Sequence, residues 1–130
     1  MPRSSVVLRT APVDAEAVGL AAGVVWHANA EATASPFELR PLDDGAVLQV
    51  LAGERVVLSV LRPRMLPRLD EVARLLPGVE APGATQWWSD AYTPWRPEGA
   101  IGVAILDALA AASGGVVVHQ GLAPSWRAPS

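Results

Sequence analysis

Residues 37–61 read FELRPLDDGAVLQVLAGERVVLSVL, and this stretch decides the fold. It holds three runs, Phe37 to Leu42, Ala46 to Leu51 and Arg55 to Leu61. Short apolar runs separated by turn residues form hairpin strands, because the breaks come too soon for helices. Asp43-Asp44-Gly45 supplies a tight loop with glycine where a positive φ is wanted. At the second turn, Ala52-Gly53-Glu54, two registers compete. A three-residue loop gathers Leu48, Val50, Val56, Leu58 and Val60 on the core face and leaves Gln49, Ser59 and Arg55 on the other. A two-residue Gly53-Glu54 turn slips the pairing by one residue and moves that whole set to the opposite face. The first is preferred because it groups the polar residues. The other face still carries Val47, Leu51, Val57 and Leu61, an apolar patch that a covering helix or weak homodimerisation would hide.

Working outward from this meander, Ser5 to Arg9 reads as a first strand, with Val6 to Leu8 buried. Asp14 suits the N-cap of a helix running to about Asn29. Its stripe is Val18, Ala21, Val24, Val25 and Ala28, with Ala15, Gly19, Gly23 and Trp26 opposite. Downstream, Pro63 to Arg68 is a rigid basic connection, and Leu69 to Leu76 a short helix stopped by Pro77-Gly78. Ala84 to Thr93 is an aromatic strand. Pro97 and Glu98 open a third helix with Ile101, Ala104, Ile105, Ala108, Leu109 and Ala112 inward. Gly114-Gly115 ends it, and Val116 to Gln120 is the last strand. The order is βαβββαβαβ. The expected fold is a single α+β domain over residues 1–121, with a tail over 122–130. It has one mostly antiparallel sheet with a central three-stranded meander, and two long helices plus one short one, packed mainly on one face. Val6, Leu8, Val18, Ala21, Val25, Leu48, Val50, Leu58, Val60, Ile101, Ile105, Leu109 and Val117 should form the core.

Composition narrows the function. The chain has 130 residues, 51% hydrophobic and 18% charged, which fits one folded domain and excludes a solvating tail as its main content. Absence of cysteine removes disulfides, thiolate metal sites and a cysteine nucleophile. A net charge of −3 argues against nucleic acid. All ten basic residues are arginine, a composition that points to a GC-rich bacterial genome. The start lacks the pattern of a secretory signal, and the longest apolar stretch, Ile101 to Ala112, is too short to span a bilayer. Residence in the cytoplasm, without a membrane partner, is therefore expected.

No catalytic motif emerges. His27 and His119 stand outside any nucleophile or metal-ligand spacing, and Gly114-Gly115 follows a helix, the wrong order for a phosphate loop. The expectation is no catalytic residue, no metal and no cofactor. The strongest local signal is aromatic. Trp87, Trp88, Tyr92 and Trp95 fall within nine residues, with Asp90 between and Arg96 after them. Such a cluster either fills the core or presents anchors to a partner, and strand alternation puts Trp87 and Trp88 on opposite faces. Trp26 is a further candidate anchor, unless its helix packs on both sides. Arg62, Arg64, Arg68 and Arg74 form either an anion site or a solvated, locally paired surface. An alternative to protein binding is a small enzyme or ligand pocket built around Trp88, Asp90 and His119.

The segment Trp87-Trp88-Ser89-Asp90-Ala91, the alanine-rich helix after it, and Gly114-Gly115-Val116-Val117-Val118 together resemble the C-terminal half of bacterial immunity proteins of polymorphic-toxin and contact-dependent inhibition loci. The resemblance implies an α+β domain without chemistry of its own that neutralises a cognate toxin by direct binding. Immunity families share no catalytic residues, so it assigns none here. The expected partner surface consists of Trp87, Trp88, Asp90, Tyr92, Trp95, Arg96 and Trp26.

Overall fold

The computed structural model describes residues 3–28, 36–66, 87–94, 99–112 and 115–120. The expected short helix at Leu69 to Leu76, the tail, Arg68, Arg74, Trp95 and Arg96 lie outside them. The elements are β1 (Arg3–Arg9), α1 (Ala15–Ala28), β2 (Phe37–Leu42), β3 (Val47–Ala52), β4 (Arg55–Leu61), β5 (Arg64–Met65), β6 (Trp87–Thr93), α2 (Gly99–Ala112) and β7 (Val116–Gln120). Among the described residues, seven antiparallel strands form one sheet in the order β2-β3-β4-β6-β1-β7, with β5 also on β6. This is an α+β fold. The meander is central in the chain but occupies one side of the sheet, and β1 separates β6 from β7.

Both turns of the meander depart from the simplest reading. Asp43 and Asp44 join Gly45 in the left-handed region, at φ 52, 55 and 85°, which short acidic side chains tolerate. Arg62 fastens this loop, its backbone N–H donating to Ala46 O at 2.8 Å and its Nη2 to Asp44 O at 3.0 Å. At the second turn the expected three-residue loop does not form; the two-residue turn forms instead, and its register holds only as far as Leu51. Ala52 pairs with Arg55 and Leu51 with Val56 across a two-residue Gly53-Glu54 turn, while Val50 pairs with Leu58 and Gln49 with Ser59. Val57 is the extra residue of a β-bulge. The bulge leaves Gln49 and Ser59 on one face, as expected, moves Val56 off the expected core face to pair with Leu51, and puts Val57 and Leu58, adjacent in sequence, into the same core cluster. Val57 therefore leaves the expected apolar patch. Leu51 is also buried, and Val47 and Leu61 are half-buried, so little of the expected patch is exposed.

The segment expected to be a connection after Pro63 instead continues β4 onto β6. Ser59 and Val60 pair with Tyr92 and Ala91, and Arg64 and Met65 pair with Trp88 and Trp87. The register slips by one residue at Pro63, which has no N–H to give to a ladder.

Both helices pack on one face, the near face. Their buried residues form one cluster with Val7, Val50, Val57, Leu58, Val60 and Ala91. Leu48, Ile101 and Val117 are only partly buried against that cluster; the other ten expected core residues are buried. Val6 and Leu8, on the other side of β1, pack with Trp88 in a second cluster on the far face.

Each helix is turned relative to its expected stripe. In α1 the buried residues are Val18, Ala21, Ala22, Val25 and Trp26, whereas Val24 and Ala28 are exposed. At 3.6 residues per turn this rotates the inward arc by roughly 70°. Trp26, 9% exposed, lies 5.1 Å from the Phe37 ring; an aromatic removes far more apolar area from water than a valine, so it takes the inward place. In α2 the inward side is marked by Gly99, Gly102, Ile105, Leu106, Leu109 and Ala110. Gly102 sits against the Val57 carbonyl, where any Cβ would overlap the backbone, so the helix crosses directly over the bulge. Among the described residues, no helix is long and apolar enough to cross a membrane.

Candidate functional site

Strand alternation along β6 sorts the aromatic cluster. Trp88, Asp90 and Tyr92 face away from the helices; Trp87, Ser89, Ala91 and Thr93 face toward them. On the far face Trp88 is 5% exposed and packs on Val6 and Leu8. Its Nε1–H donates to Asp90 Oδ1 at 3.0 Å, and the Arg64 guanidinium lies 5.0 Å from its ring centroid. An indole that is buried by its body, hydrogen-bonded at its edge and covered by a cation cannot rotate freely. Asp90 is half-buried beside it and Arg64 is exposed.

Beside this trio a polar row crosses five strands. Ser4 pairs with Tyr92, Tyr92 with Ser59, Ser59 with Gln49, and Gln49 with Arg40. Residues directly opposite one another share a face, so all five side chains line up on the far side. Tyr92 is 37% exposed, Arg40 is exposed, and Ser4, Ser59 and Gln49 are half-buried. Arg40 also bonds Glu38 Oε2 at 3.4 Å, one step along the same face. Sequence reasoning identified Trp88, Asp90 and Tyr92 but missed Ser4, Ser59, Gln49, Arg40 and Arg64 as their neighbours. The Gln49–Ser59 grouping was the one available signal.

Other expected site residues lie elsewhere. Trp87 is half-buried on the near face, opposite Arg9. Trp26 is a core residue against Phe37 and presents no exposed anchor. The alternative pocket of Trp88, Asp90 and His119 is not assembled. Asp90 pairs with Val6 and His119 with Ser5, adjacent residues of β1 that point to opposite faces. Of the arginine cluster, Arg62 binds the hairpin loop and Arg64 covers Trp88, so these two are structural partners of nearby groups.

His119 instead belongs to a chain of three residues that no spacing in the sequence announces. Ser5 Oγ lies 2.8 Å from His119 Nδ1, and His119 Nε2 lies 3.1 Å from Asp107 Oδ1. A neutral imidazole protonated at Nε2 satisfies both, accepting from the Ser5 hydroxyl and donating to Asp107. These are the residue types of a hydrolytic triad. Here, however, Ser5 is 1% exposed and forms the inner end, while Asp107 is on the surface. A nucleophile must reach its substrate, so this arrangement serves to tie β1, β7 and α2 together. Among the described residues, no group of three His, Asp or Glu side chains could hold a metal ion.

Comparison with protein-family models, with curated proteins and with solved structures returns no match.

Proposed function

We propose that this chain is a non-catalytic binding domain whose far sheet face takes a protein partner. The partner is a toxin that the domain neutralises in the cytoplasm. One observation carries the reading: the cross-strand row Ser4, Tyr92, Ser59, Gln49 and Arg40 beside the Trp88–Asp90–Arg64 trio. Tyrosine with small and adaptable polar residues is the composition of protein-recognition surfaces, because the ring gives contact area at low entropic cost and its neighbours adapt their hydrogen bonds. Mounting them on paired strands preorganises them, which spares the ordering cost of association. Asp90 and Arg64 offer one charge of each sign for orienting the partner. The assignment of a toxin rests on the resemblance of the Trp87 to Val118 segment to immunity proteins. The pocket reading loses its basis, since Trp88 and Asp90 lie across the sheet from His119.

Co-expression with the product of the adjacent gene tests the proposal. The expected result is a stoichiometric complex, with relief of toxicity when both are produced. Toxicity unchanged by this chain, with no complex recovered, would contradict it.

A further inference from the structure

The two edges of the sheet are built differently. At one end β2 carries Pro41, which has no N–H to donate, and the exposed pair Glu38 and Arg40, whose side chains meet at 3.4 Å. Proline and charge are what keep an edge from pairing with another chain. At the other end β7 has neither. It reads Val116, Val117, Val118, His119, Gln120, a β-branched run without proline, acid, lysine or arginine. Its register with β1 is regular from Val116 to Gln120, with no bulge to twist the edge away, and among the described residues no strand lies on its outer side. The His119 ring does not guard this edge, because Ser5 and Asp107 of the same molecule hold it.

We propose that β7 pairs with β7 of a second copy about a two-fold axis at Val117, joining two sheets into one. A strand edge presents a row of N–H and C=O groups, and an extended strand is the partner that answers the whole row. Two identical strands paired antiparallel are self-complementary, which is what a closed dimer requires. The pairing also continues the antiparallel order of the sheet. Side chains place the axis. Val117 packs toward the near-face cluster and Val118 toward the far-face one, and Val116 shares the face of Val118 by alternation. With the axis at Val117, that residue meets its own copy, and Val116 meets Val118 of the second copy, so every central pair is β-branched. An axis at His119 would set the two His119–Asp107 pairs side by side. At Val117 the two histidines stand about 14 Å apart along the strands, beyond the reach of screened charges. Five residues make a short seam beside the roughly 800 Å² a side of a standard interface, so the dimer dissociates in the micromolar range. The proposal is independent of the partner assigned to the far face.

Sedimentation equilibrium of the full chain, from micromolar to millimolar concentration, should show a monomer–dimer equilibrium. Val116→Asp sets an acid at the seam of both copies and should weaken the dimer roughly tenfold or more. Its far-UV spectrum should stay unchanged, since among the described residues neither core cluster includes Val116. The chain has no cysteine, so a single Val117→Cys variant reads the geometry directly. Residues opposite one another across antiparallel strands lie within disulfide reach, and mild oxidation should link the two copies. Glu54→Cys, at an exposed turn, is the control and should link far more slowly. A monomer throughout the concentration range would overturn the proposal, including the case where residues 121–130 of the same chain take the edge. So would a dimer that folded Val116→Asp leaves intact, or one that Val117→Cys links no faster than Glu54→Cys.

Discussion

Gly102 and Gly23 each sit inside a helix, yet an added methyl group would meet different surroundings. At Gly102 it would overlap the Val57 carbonyl and crowd Thr93, whereas at Gly23 nothing lies within 4 Å. Gly102→Ala should therefore cost about 3 kcal/mol, at the upper end for overpacking because the obstacle is backbone. Gly23→Ala should stabilise by about 1 kcal/mol through helix propensity. Urea denaturation of the two variants checks both the signs and the sizes. Ser89 is a third test at this scale. Its Oγ is buried and makes no hydrogen bond among the described residues, so Ser89→Ala should raise stability by about 1 kcal/mol. A loss of similar size would reveal a partner for the hydroxyl. The sequence displayed all these residues, but nothing in it distinguished the glycine that touches backbone from the one that touches nothing.

At the scale of elements, boundaries were more legible than orientation. The Asp14 side chain accepts the Ala17 N–H and its carbonyl accepts the Val18 N–H at 3.0 Å, as a cap before α1 should. Asp14→Ala should cost about 1 kcal/mol in thermal or urea unfolding, and an unchanged midpoint would show the cap to be idle. The inward faces were harder to read. Counting apolar residues put Val24 inside and Trp26 outside, because Val and Ala recur around much of α1 and a rich helix has no single stripe. What decided the matter was one large ring, Trp26, finding Phe37 on β2. In α2 it was Gly102, whose missing side chain lets the helix lie against the Val57 carbonyl, with Ile105, Leu106 and Leu109 inward beside it. The meander turn shows a third kind of limit. Alternation put Gln49 and Ser59 on one face, and they do share it, but through a bulge at Val57 that a simple period of two cannot express.

The whole molecule depends on pairings that no local pattern encodes. β1 lies between β6 and β7, so the N-terminal strand is joined to two strands from the last third of the chain. Hydrophobic period and turn residues identify strands, but strand order is a long-range choice. That order determines the site: it separates His119 from Asp90, joins His119 to Ser5 and Asp107, and sets Tyr92 between Ser4 and Ser59. On the proposed function, the face bearing Tyr92 is where a protein partner lands. Calorimetric titration of Tyr92→Ala against the co-expressed partner tests it most directly, with Leu20→Glu on the opposite layer as the control. A loss of about 2 kcal/mol is expected for Tyr92→Ala, the scale of a binding hot spot, and no change for Leu20→Glu. Undiminished affinity in a folded Tyr92→Ala, or a loss confined to Leu20→Glu, would contradict it.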